Sequence, residues 1–396
     1  MPELNELPQG WKWVRLGDVA KQDRLIVEPY SKLSNLPYLG LEHIESNSGK
    51  ILKDIQEKIE DEGKSTTFYF NENHILYGKL RPYLNKVALP NFEGRCTTEL
   101  MPFLPKDNIN REFIAWILKR DETISFVMQE ATGSRMPRAD IDKLLNLIIP
   151  LPPLPEQQRL ATLLTAKLAL IEQAKEKITA QLQAAQELTA AYLREVFESE
   201  EAKGWELVKL GDVCKSIVPN RDKPKSFSGS YRWITLPDFN ENTIYLDIKE
   251  NYLGLSKEEI LEYNARIVPK GSVIMSCVGR FGLSAIVEQD IIPNQQIHAF
   301  IVPKEIDYKY LAYFLKFNKN YFESIATSTI INYLNKSNCE SVLFPLLPLI
   351  EQQKIANYLS EKLATVEQLK ATLQTQLDSI NQLPAALLKQ AFSGNL

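Results

Sequence analysis

Two basic segments carry the side chains best suited to binding anions or polar base edges. The first is a proline-containing loop between two predicted strands, and its candidate binding residues are Lys79, Arg81, Tyr83 and Lys86. The other, Gly133–Arg138, presents the guanidinium groups of Arg135 and Arg138. A guanidinium can donate two parallel hydrogen bonds to phosphate or to guanine. Both segments are therefore candidate binding loops, although a solvated basic turn with Tyr83 packed inward explains the first about equally well.

Three later segments offer related polar groups. Arg280 lies in the turn Gly279–Gly282 and is a candidate replacement for Arg81. Asn332 and Tyr333 end a segment that corresponds to Gly133–Arg138 but has lost both arginines, and an asparagine amide can pair with adenine. Three further amides follow one another: Asn294, Gln295 and Gln296. Loop drift and hydrogen-bonded turns are the alternative explanations for these residues.

Motifs for catalysis are weak or missing. A Pro-Asp and Asp-Ile-Lys pattern within 237–249 imitates a nuclease metal site, but His43 stands where Asp238 does in the earlier half. The three histidines are isolated, which favours structural roles over metal binding: His43, His74 and His298. The sequence has no P-loop, no Gly-rich cofactor loop and no Asn-Pro-Pro-Tyr-like tetrapeptide. We predict no catalytic residue, no metal and no cofactor.

Length and composition bound the class of protein. A chain of 396 residues is too long for one ordinary core, so two or more domains are expected. The net charge of −4 argues mildly against a surface that coats nucleic acid, yet leaves room for a local basic cleft. The four cysteines form no CxxC pair, the first ten residues do not resemble a signal peptide, and Leu144–Leu154 is too short to span a bilayer. We expect a reduced, cytoplasmic protein.

A tandem repeat organises the sequence. Three matches occur in the same order in both halves: Trp11–Ala20 with Trp205–Cys214, Pro153–Arg159 with Pro348–Lys354, and Leu193–Phe197 with Leu388–Phe392. The first pair is offset by 194 residues and the other two by 195. Ordered matches at nearly one offset are hard to obtain by chance, so the chain is predicted to be a duplication.

Each repeat is predicted to hold a mixed α/β module followed by one long helix. The predicted strands are Tyr38–Ile44, His74–Tyr77 and Lys86–Leu89 in the first module, and Trp233–Phe239, Ser272–Cys277 and Leu283–Glu288 in the second. Arg111–Arg120 and Tyr308–Phe317 are the corresponding predicted helices. Proline-rich 150–155 ends the first module, and Pro155 is well placed to open the long helix that follows.

The two long helices share one seam of positions at alternating steps of four and three. In the first helix the seam is Leu164, Leu168, Ile171, Lys175, Ile178, Leu182, Ala185, Thr189, Tyr192 and Val196. In the second it is Leu359, Leu363, Val366, Lys370, Leu373, Leu377, Ile380, Pro384, Leu387 and Ala391. This spacing predicts an antiparallel coiled coil, whose apolar seam residues are also candidate partner-binding positions.

Two seam positions break the apolar pattern. Pro384 predicts a kink or a break about one turn before it, because proline lacks a backbone N–H. Lys175 and Lys370 hold equivalent positions near the helix midpoints. We expect their ammonium groups to reach outward to acids such as Glu172, Glu176 and Glu367.

The predicted fold class is α/β, of the α+β type: two similar mixed α/β domains separated by two long antiparallel helices, with pseudo-twofold symmetry. The predicted boundaries are 1–155 and 200–350 for the domains, and 156–199 and 351–396 for the helices. A helix of about 42 residues is roughly 60 Å long. Since DNA repeats about every 34–36 Å, two modules held this way could touch sites more than one turn apart.

This order of parts resembles the specificity (S) subunit of type I restriction-modification systems, and the resemblance covers essentially the whole chain. Its marks are the Trp-x-x-x-x-Leu-Gly-Asp-Val openings, Leu76–Tyr83, Ala131–Arg135, the two Pro-Leu-x-Glu-Gln-Gln helix starts and the ending Leu388–Gly394. The resemblance implies a non-catalytic subunit in which each module reads one half of a split, asymmetric double-stranded DNA target. It also implies helices that dock modification (M) subunits, with restriction (R) subunits joining for cleavage.

Three alternatives stay open or are disfavoured by the sequence. The chain could be the specificity subunit of a system that only methylates, or a coiled-coil scaffold that binds proteins alone. Salt-dependent DNA binding in the presence of partner subunits separates a DNA reader from a scaffold. A methyltransferase is disfavoured because its motifs are missing.

Overall fold

The structure, a computed structural model, describes residues 7–52, 65–131, 133, 135–219, 223–247, 250, 252–326, 332–394 and 396. The chain divides into two compact units, Met1–Lys177 with Leu377–Leu396, and Ile178–Gln376. Parts of the predicted loops, repeat matches and nuclease-like pattern lie outside the described residues: Thr132, Ser134, Ile248, Lys249 and 327–331. Across the described ranges, no helix has the length and apolarity needed to cross a membrane.

The first unit contains ten short strands and the first five α-helices among its described residues. The strands are β1 Lys12–Arg15, β2 Ala20–Gln22, β3 Ile26–Val27, β4 Tyr38–Leu39, β5 Thr67–Phe70, β6 Ile75–Gly78, β7 Val87–Ala88, β8 Gly94–Thr97, β9 Leu100–Pro105 and β10 Ile148–Leu151. The helices are α1 Leu16–Val19, α2 Arg111–Leu118, α3 Asp121–Glu130, α4 Ile141–Leu145 and α5 Leu154–Phe197, the last of which continues into the second unit.

The second unit repeats most of this element order, with the additional helix α7. Its strands are β11 Leu207–Lys209, β12 Lys215–Ile217, β13 Tyr231–Ile234, β14 Gly254–Leu255, β15 Val273–Ser276, β16 Ser284–Ile286, β17 Ile291–Pro293, β18 Ile297–Ile301 and β19 Leu343–Pro345. Its helices are α6 Leu210–Val213, α7 Lys257–Glu262, α8 Tyr308–Phe317, α9 Lys319–Ile325, α10 Lys336–Glu340 and α11 Leu349–Phe392, which ends in the first unit.

Sheet topology confirms the predicted repeat. The sheet order β2-β9-β6-β7 in the first unit recurs as β12-β18-β15-β16 in the second. The two-stranded pairs β1-β10 and β11-β19 also correspond, and both are antiparallel. A third sheet holds one parallel pair in each unit, β4 with β8 and β13 with β17. The fold is therefore the predicted mixed α and β type, built twice.

Two predicted strands were too long, for a common reason. Tyr38–Ile44 and Trp233–Phe239 each begin as a strand but turn into a 3-10 helix, at Leu41–His43 and Leu236–Asp238. Each turn is closed by a side chain: His43 Nδ1 accepts from the Gly40 N–H at 3.0 Å, and Asp238 Oδ2 accepts from the Thr235 N–H at 2.7 Å. Such local side-chain bonds compete with continued strand pairing.

The long helices form part of each unit's core. In the first unit, the beginning of α5 packs against the end of α11, where Leu160 and Leu164 share a buried cluster with Leu388 and Phe392. In the second, the end of α5 meets the beginning of α11, and Tyr358 donates to Glu195 Oε1 at 2.8 Å. Both contacts require antiparallel helices, as predicted. Every predicted seam position is buried or partly buried.

A buried glutamine explains the repeated helix start. Gln157 Oε1 accepts from the Asn110 N–H at 2.9 Å, and Gln352 Oε1 accepts from the Asp307 N–H at 2.9 Å. Asn110 and Asp307 are the N-cap residues of α2 and α8. The glutamine amides also donate to backbone carbonyls, at Pro152 in the first unit and at Glu305 and Leu347 in the second. The motif thus ties each long helix to its own module.

The predictions for the irregular seam positions, the proline and the two lysines, agree with the structure to different degrees. The predicted break about one turn before Pro384 is wrong, because α11 runs continuously from Leu349 to Phe392, while the kink stays a prediction. Burial of Leu388 and Phe392 in the core beyond the proline offsets the cost of the lost hydrogen bond. The predicted pairing of Lys370 with Glu367 is confirmed, since the Lys370 Nζ lies 2.8 Å from Glu367 Oε1. The reach of Lys175 stays a prediction.

Candidate nucleic-acid interface

In the first unit, the loop after β6 is joined to the segment 135–139 by the backbone. The Arg81 N–H donates to the Pro137 carbonyl at 2.8 Å, and the Ala139 N–H donates to the Lys79 carbonyl at 2.9 Å. Arg81 has a positive φ of 51°, which turns the chain sharply before Pro82. The two segments that the sequence singled out are therefore neighbours, although 54 residues separate Arg81 from Arg135.

These contacts assemble what we call the first loop patch: Lys79, Arg81, Tyr83, Arg135 and Arg138. Arg81, Arg135 and Arg138 are exposed, and Tyr83 is 48% exposed, so the inward packing considered for Tyr83 does not occur. Arg138 forms an ion pair with Glu99, with Nη2 3.2 Å from Oε1. The patch is basic but partly neutralised by this carboxylate.

In the second unit, the equivalent loop is joined to the equivalent segment. The Gly279 N–H donates to the Asn332 carbonyl at 3.0 Å, and the Leu334 N–H donates to the Cys277 carbonyl at 2.8 Å. The Cys277 N–H donates to the Gln296 carbonyl, which brings the amide segment to the same place. These contacts assemble the second loop patch: Arg280, Gln295, Gln296, Asn332 and Tyr333.

Arg280 resembles Arg138 in its surroundings. Its side chain is 55% exposed and forms an ion pair with Glu241, a residue that the sequence analysis did not single out. Both residues line a cleft of about 560 Å³ within the second unit, together with Arg194 of α5 and Lys316 of α8. Each patch therefore holds one exposed arginine that faces a neighbouring carboxylate.

Two of the predicted contact residues have internal roles. Lys86 Nζ donates to the Leu41 carbonyl at 2.7 Å and is partly buried. Asn294 is 7% exposed, and its amide bonds within the turn, to Gln296 Oε1 and to the Gln296 N–H, both at 3.0 Å. For these two residues the structure favours the structural alternative that the sequence left open.

Asp238 and His74, which imitate catalytic residues, have structural partners, and His298 is buried. Asp238 caps its 3-10 turn, with Oδ2 accepting from the Thr235 N–H and hydroxyl. His74 is buried and lies 3.2 Å from Asp23 Oδ2. Burial lowers the pKa of His298 to about 4. Within the part of the chain that is described, no group of three or more His, Cys, Asp or Glu residues could hold a metal ion.

Sequence reasoning missed two lysines that support the patches. Lys119 directly follows α2, and Lys316 lies in the last turn of α8. The two lysines are 197 residues apart, as are Ala115 and Ala312 of the same helices. Each ammonium is buried or partly buried and donates to backbone carbonyls beside its patch. The repeat itself was the available signal, because a lysine at the end of an apolar helix recurs at one offset.

The chain is similar to known proteins along its whole length. The family model described as "Type I restriction modification DNA specificity domain" matches residues 8–184 and again 202–379. The Type I restriction enzyme EcoDI specificity subunit of Escherichia coli is 28% identical over 204 residues, which are 51% of this chain and 45% of that protein. This match therefore spans less than half the length of the relative.

Solved structures share the fold. A chain from a structure concerned with complex assembly and conformational transition of the type I R-M system is 22% identical and has a TM-score of 0.80, covering 99% of this chain and 100% of that one. The HsdS subunit from Thermoanaerobacter tengcongensis is also 22% identical, with a TM-score of 0.68, covering 100% of this chain and 99% of that one. At this identity, the likeness concerns the fold alone.

Proposed function

Because this chain belongs to the family of type I restriction modification DNA specificity domains, we propose that it is the non-catalytic DNA-reading subunit of such a system. Each repeat reads one half of a split, asymmetric double-stranded DNA target. The recognition domains are 1–155 and 200–350. The long helices, 156–199 and 351–396, set the gap between the half-sites and dock modification subunits, and restriction subunits join the complex for cleavage.

The observation that carries this proposal is the recurrence of one backbone arrangement with different side chains. Both patches are built where a loop after a central strand meets a distant segment of the same unit. The first presents guanidinium groups, and the second presents one guanidinium with several amides. A duplicated scaffold that keeps its backbone contacts and changes its exposed hydrogen-bonding groups suits two readers of different base sequences.

DNA contact requires the paired arginines to change partners. Arg138 and Arg280 lie beside Glu99 and Glu241 in the free protein. An exposed ion pair is worth only about 0–1 kcal/mol, whereas a bidentate arginine–guanine contact contributes about 1–3 kcal/mol of discrimination. At a matched DNA site, it is therefore favourable for each arginine to leave its carboxylate and bind a base edge. At other DNA sites, the carboxylate competes for the arginine and opposes binding.

Methylome sequencing tests the proposal directly. Cells that carry this chain with its cognate modification subunit should show methylation at a split motif with a fixed gap. Exchanging residues 1–150 for another module should change one half of that motif and leave the other half and the gap unchanged. Changes in both halves would contradict independent reading by the two units.

DNA binding by the purified complex separates a reader from a protein-only scaffold. The assembled complex should bind duplex DNA with an affinity that falls as salt rises, because phosphate contacts release counterions. A scaffold that binds proteins alone would show no such dependence. Whether the complex cleaves or only methylates follows from repeating the cellular assay with and without the restriction subunit.

A further inference from the structure

Lys119 and Lys316 occupy the same place in the two units. Lys119 directly follows α2 and Lys316 lies in the last turn of α8, and the two helices align at an offset of 197 residues. Each lysine reaches the turn that follows the 3-10 helix of its own module, near Ser48 or Glu241. We call these segments the first turn, 45–50, and the second turn, 240–244.

Lys119 holds the first turn from inside the protein. The residue is 8% exposed, and its Nζ donates to the Ser48 carbonyl at 2.6 Å. The ammonium also lies 4.7 Å from the centre of the Trp116 ring. Burial lowers the pKa of Lys119 to about 8. An ammonium is costly to bury, so its place here depends on these partners.

The first turn and Lys119 both hold the loop that carries Arg81 and Tyr83. The Asn47 N–H donates to the Leu84 carbonyl at 3.2 Å, and Asn85 Nδ2 donates to the Lys119 carbonyl at 3.1 Å. The packing is close: a Cβ added at Gly49 would lie 1.9 Å from the Val87 carbonyl oxygen. The loop is thus fixed against the turn at its far end.

In the second unit, Lys316 makes the equivalent contacts. Its Nζ donates to the Glu241 carbonyl at 2.5 Å and to the Thr243 carbonyl at 3.2 Å. The Glu241 carboxylate pairs with Arg280 of the second loop patch. Lys370, on the seam of α11, donates to Asn242 Oδ1 at 2.6 Å. Two ammonium groups therefore fix the turn that sets the position of Arg280.

We propose that Lys119 and Lys316 are positioning residues for DNA recognition, each holding its turn so that the adjacent loop patch keeps the geometry needed to read bases. The inference rests on the proposed function. An apolar side chain in their place would remove the hydrogen bonds to the Ser48, Glu241 and Thr243 carbonyls, and the turn would shift. Hydrogen bonds to base edges tolerate little displacement. Loss of the lysine therefore lowers the discrimination between matched and mismatched base pairs.

The test uses Lys119→Met and Lys316→Met in the full complex with modification subunits. The probe is a duplex that carries the split motif found by methylome sequencing, with single-base changes in either half. In the wild-type complex, each change should weaken binding by roughly 5- to 150-fold. In Lys119→Met, the penalty should fall to about threefold or less for changes in one half and stay at the wild-type value for the other. Lys316→Met should show the opposite pattern.

Matched controls remove an exposed ammonium from each unit. Lys106 and Lys304 are exposed and occupy equivalent positions, so Lys106→Met and Lys304→Met should leave both penalties unchanged. The variants Lys119→Gln and Lys316→Gln keep a shorter donor and should recover part of the discrimination.

Three results would overturn the inference. One is an equal loss in both halves, another is wild-type discrimination in both lysine variants, and the third is unfolding of the Met and the Gln variants alike. The last would mean that the lysine holds the whole module rather than one turn. A wild-type complex that does not discriminate between matched and changed duplexes would instead contradict the proposed function.

Discussion

The two loop patches differ in chemistry while their supports agree. The first presents Arg81, Arg135 and Arg138, and the second presents Arg280 with amides such as Asn332. Behind them, the same backbone links, an equivalent lysine and the same glutamine bond recur in both units. Duplication therefore preserved the groups that hold the loops in place and left the exposed groups free to diverge. Substitutions in the support and in the patches should have separable effects.

The largest effect is expected at the buried glutamines. Gln352→Leu removes three hydrogen bonds and leaves the Asp307 N–H without its acceptor, so we expect the free energy of unfolding to fall by about 3 kcal/mol. Gln157→Leu removes two and should cost less. Thermal unfolding of the full chain measures both. The adjacent, exposed Gln158 and Gln353 are matched controls, and their leucine variants should change stability by less than about 0.5 kcal/mol.

Acid should weaken the second unit more than the first. Met101 and His298 occupy equivalent buried positions, paired with Tyr77 and Met275. Burial lowers the pKa of His298 from 6.5 to about 4, so between these values the unfolded chain binds a proton that the folded chain does not. Stability should fall through this window as pH decreases, by up to about 3 kcal/mol.

The His298→Met variant isolates that histidine. It introduces the side chain present in the first unit and should remove this part of the pH dependence in urea unfolding. Carboxylates titrate in the same range in both proteins, so the difference between the two curves reports His298. Parallel curves for wild type and variant would show that His298 carries no such penalty.

Removing one arginine from each patch tests whether the patches act independently. Arg81→Ala and Arg280→Ala should each weaken binding of the assembled complex to its target duplex by roughly 5- to 150-fold, because each removes a contact to a base or a phosphate. If the arginine contacts a base, its removal lowers discrimination at one position of the target. If it contacts a phosphate, its removal lowers the affinity for all sequences alike. The double variant should show the product of the two effects, and a smaller combined loss would argue against separate readers.

The smallest effect is expected at the carboxylates that face the arginines. Glu99→Gln and Glu241→Gln release Arg138 and Arg280 from exposed ion pairs, worth about 0–1 kcal/mol each. Binding to a random-sequence duplex should therefore rise by about fivefold at most, and the gain should shrink at high salt. Glu122, an exposed acid that pairs with Arg120 rather than with a patch arginine, provides a control in Glu122→Gln. Weaker binding of the Glu99 and Glu241 variants would show that these carboxylates themselves contact DNA.

Much of this protein follows from local patterns in its sequence. The offset of 194–195 residues predicts two similar units, and α8 has the predicted bounds Tyr308–Phe317. The long helices begin at Leu154 and Leu349, two residues before the predicted starts. These features depend on repeated identities, on helical periodicity and on proline positions, all of which are visible along a single chain.

Tertiary structure decided which polar groups are free to bind. Arg81 and Arg138 are both arginines in loops, yet only Arg138 pairs with Glu99, and Asn294 differs from Gln295 by being buried in its own turn. Likewise, the glutamine of the helix start and Lys119 are structural because distant backbone groups meet them. The sequence determines what a side chain can donate or accept. Only the folded chain determines which partners, separated by tens of residues, come within about 3 Å and so decide between an internal bond and an exposed contact.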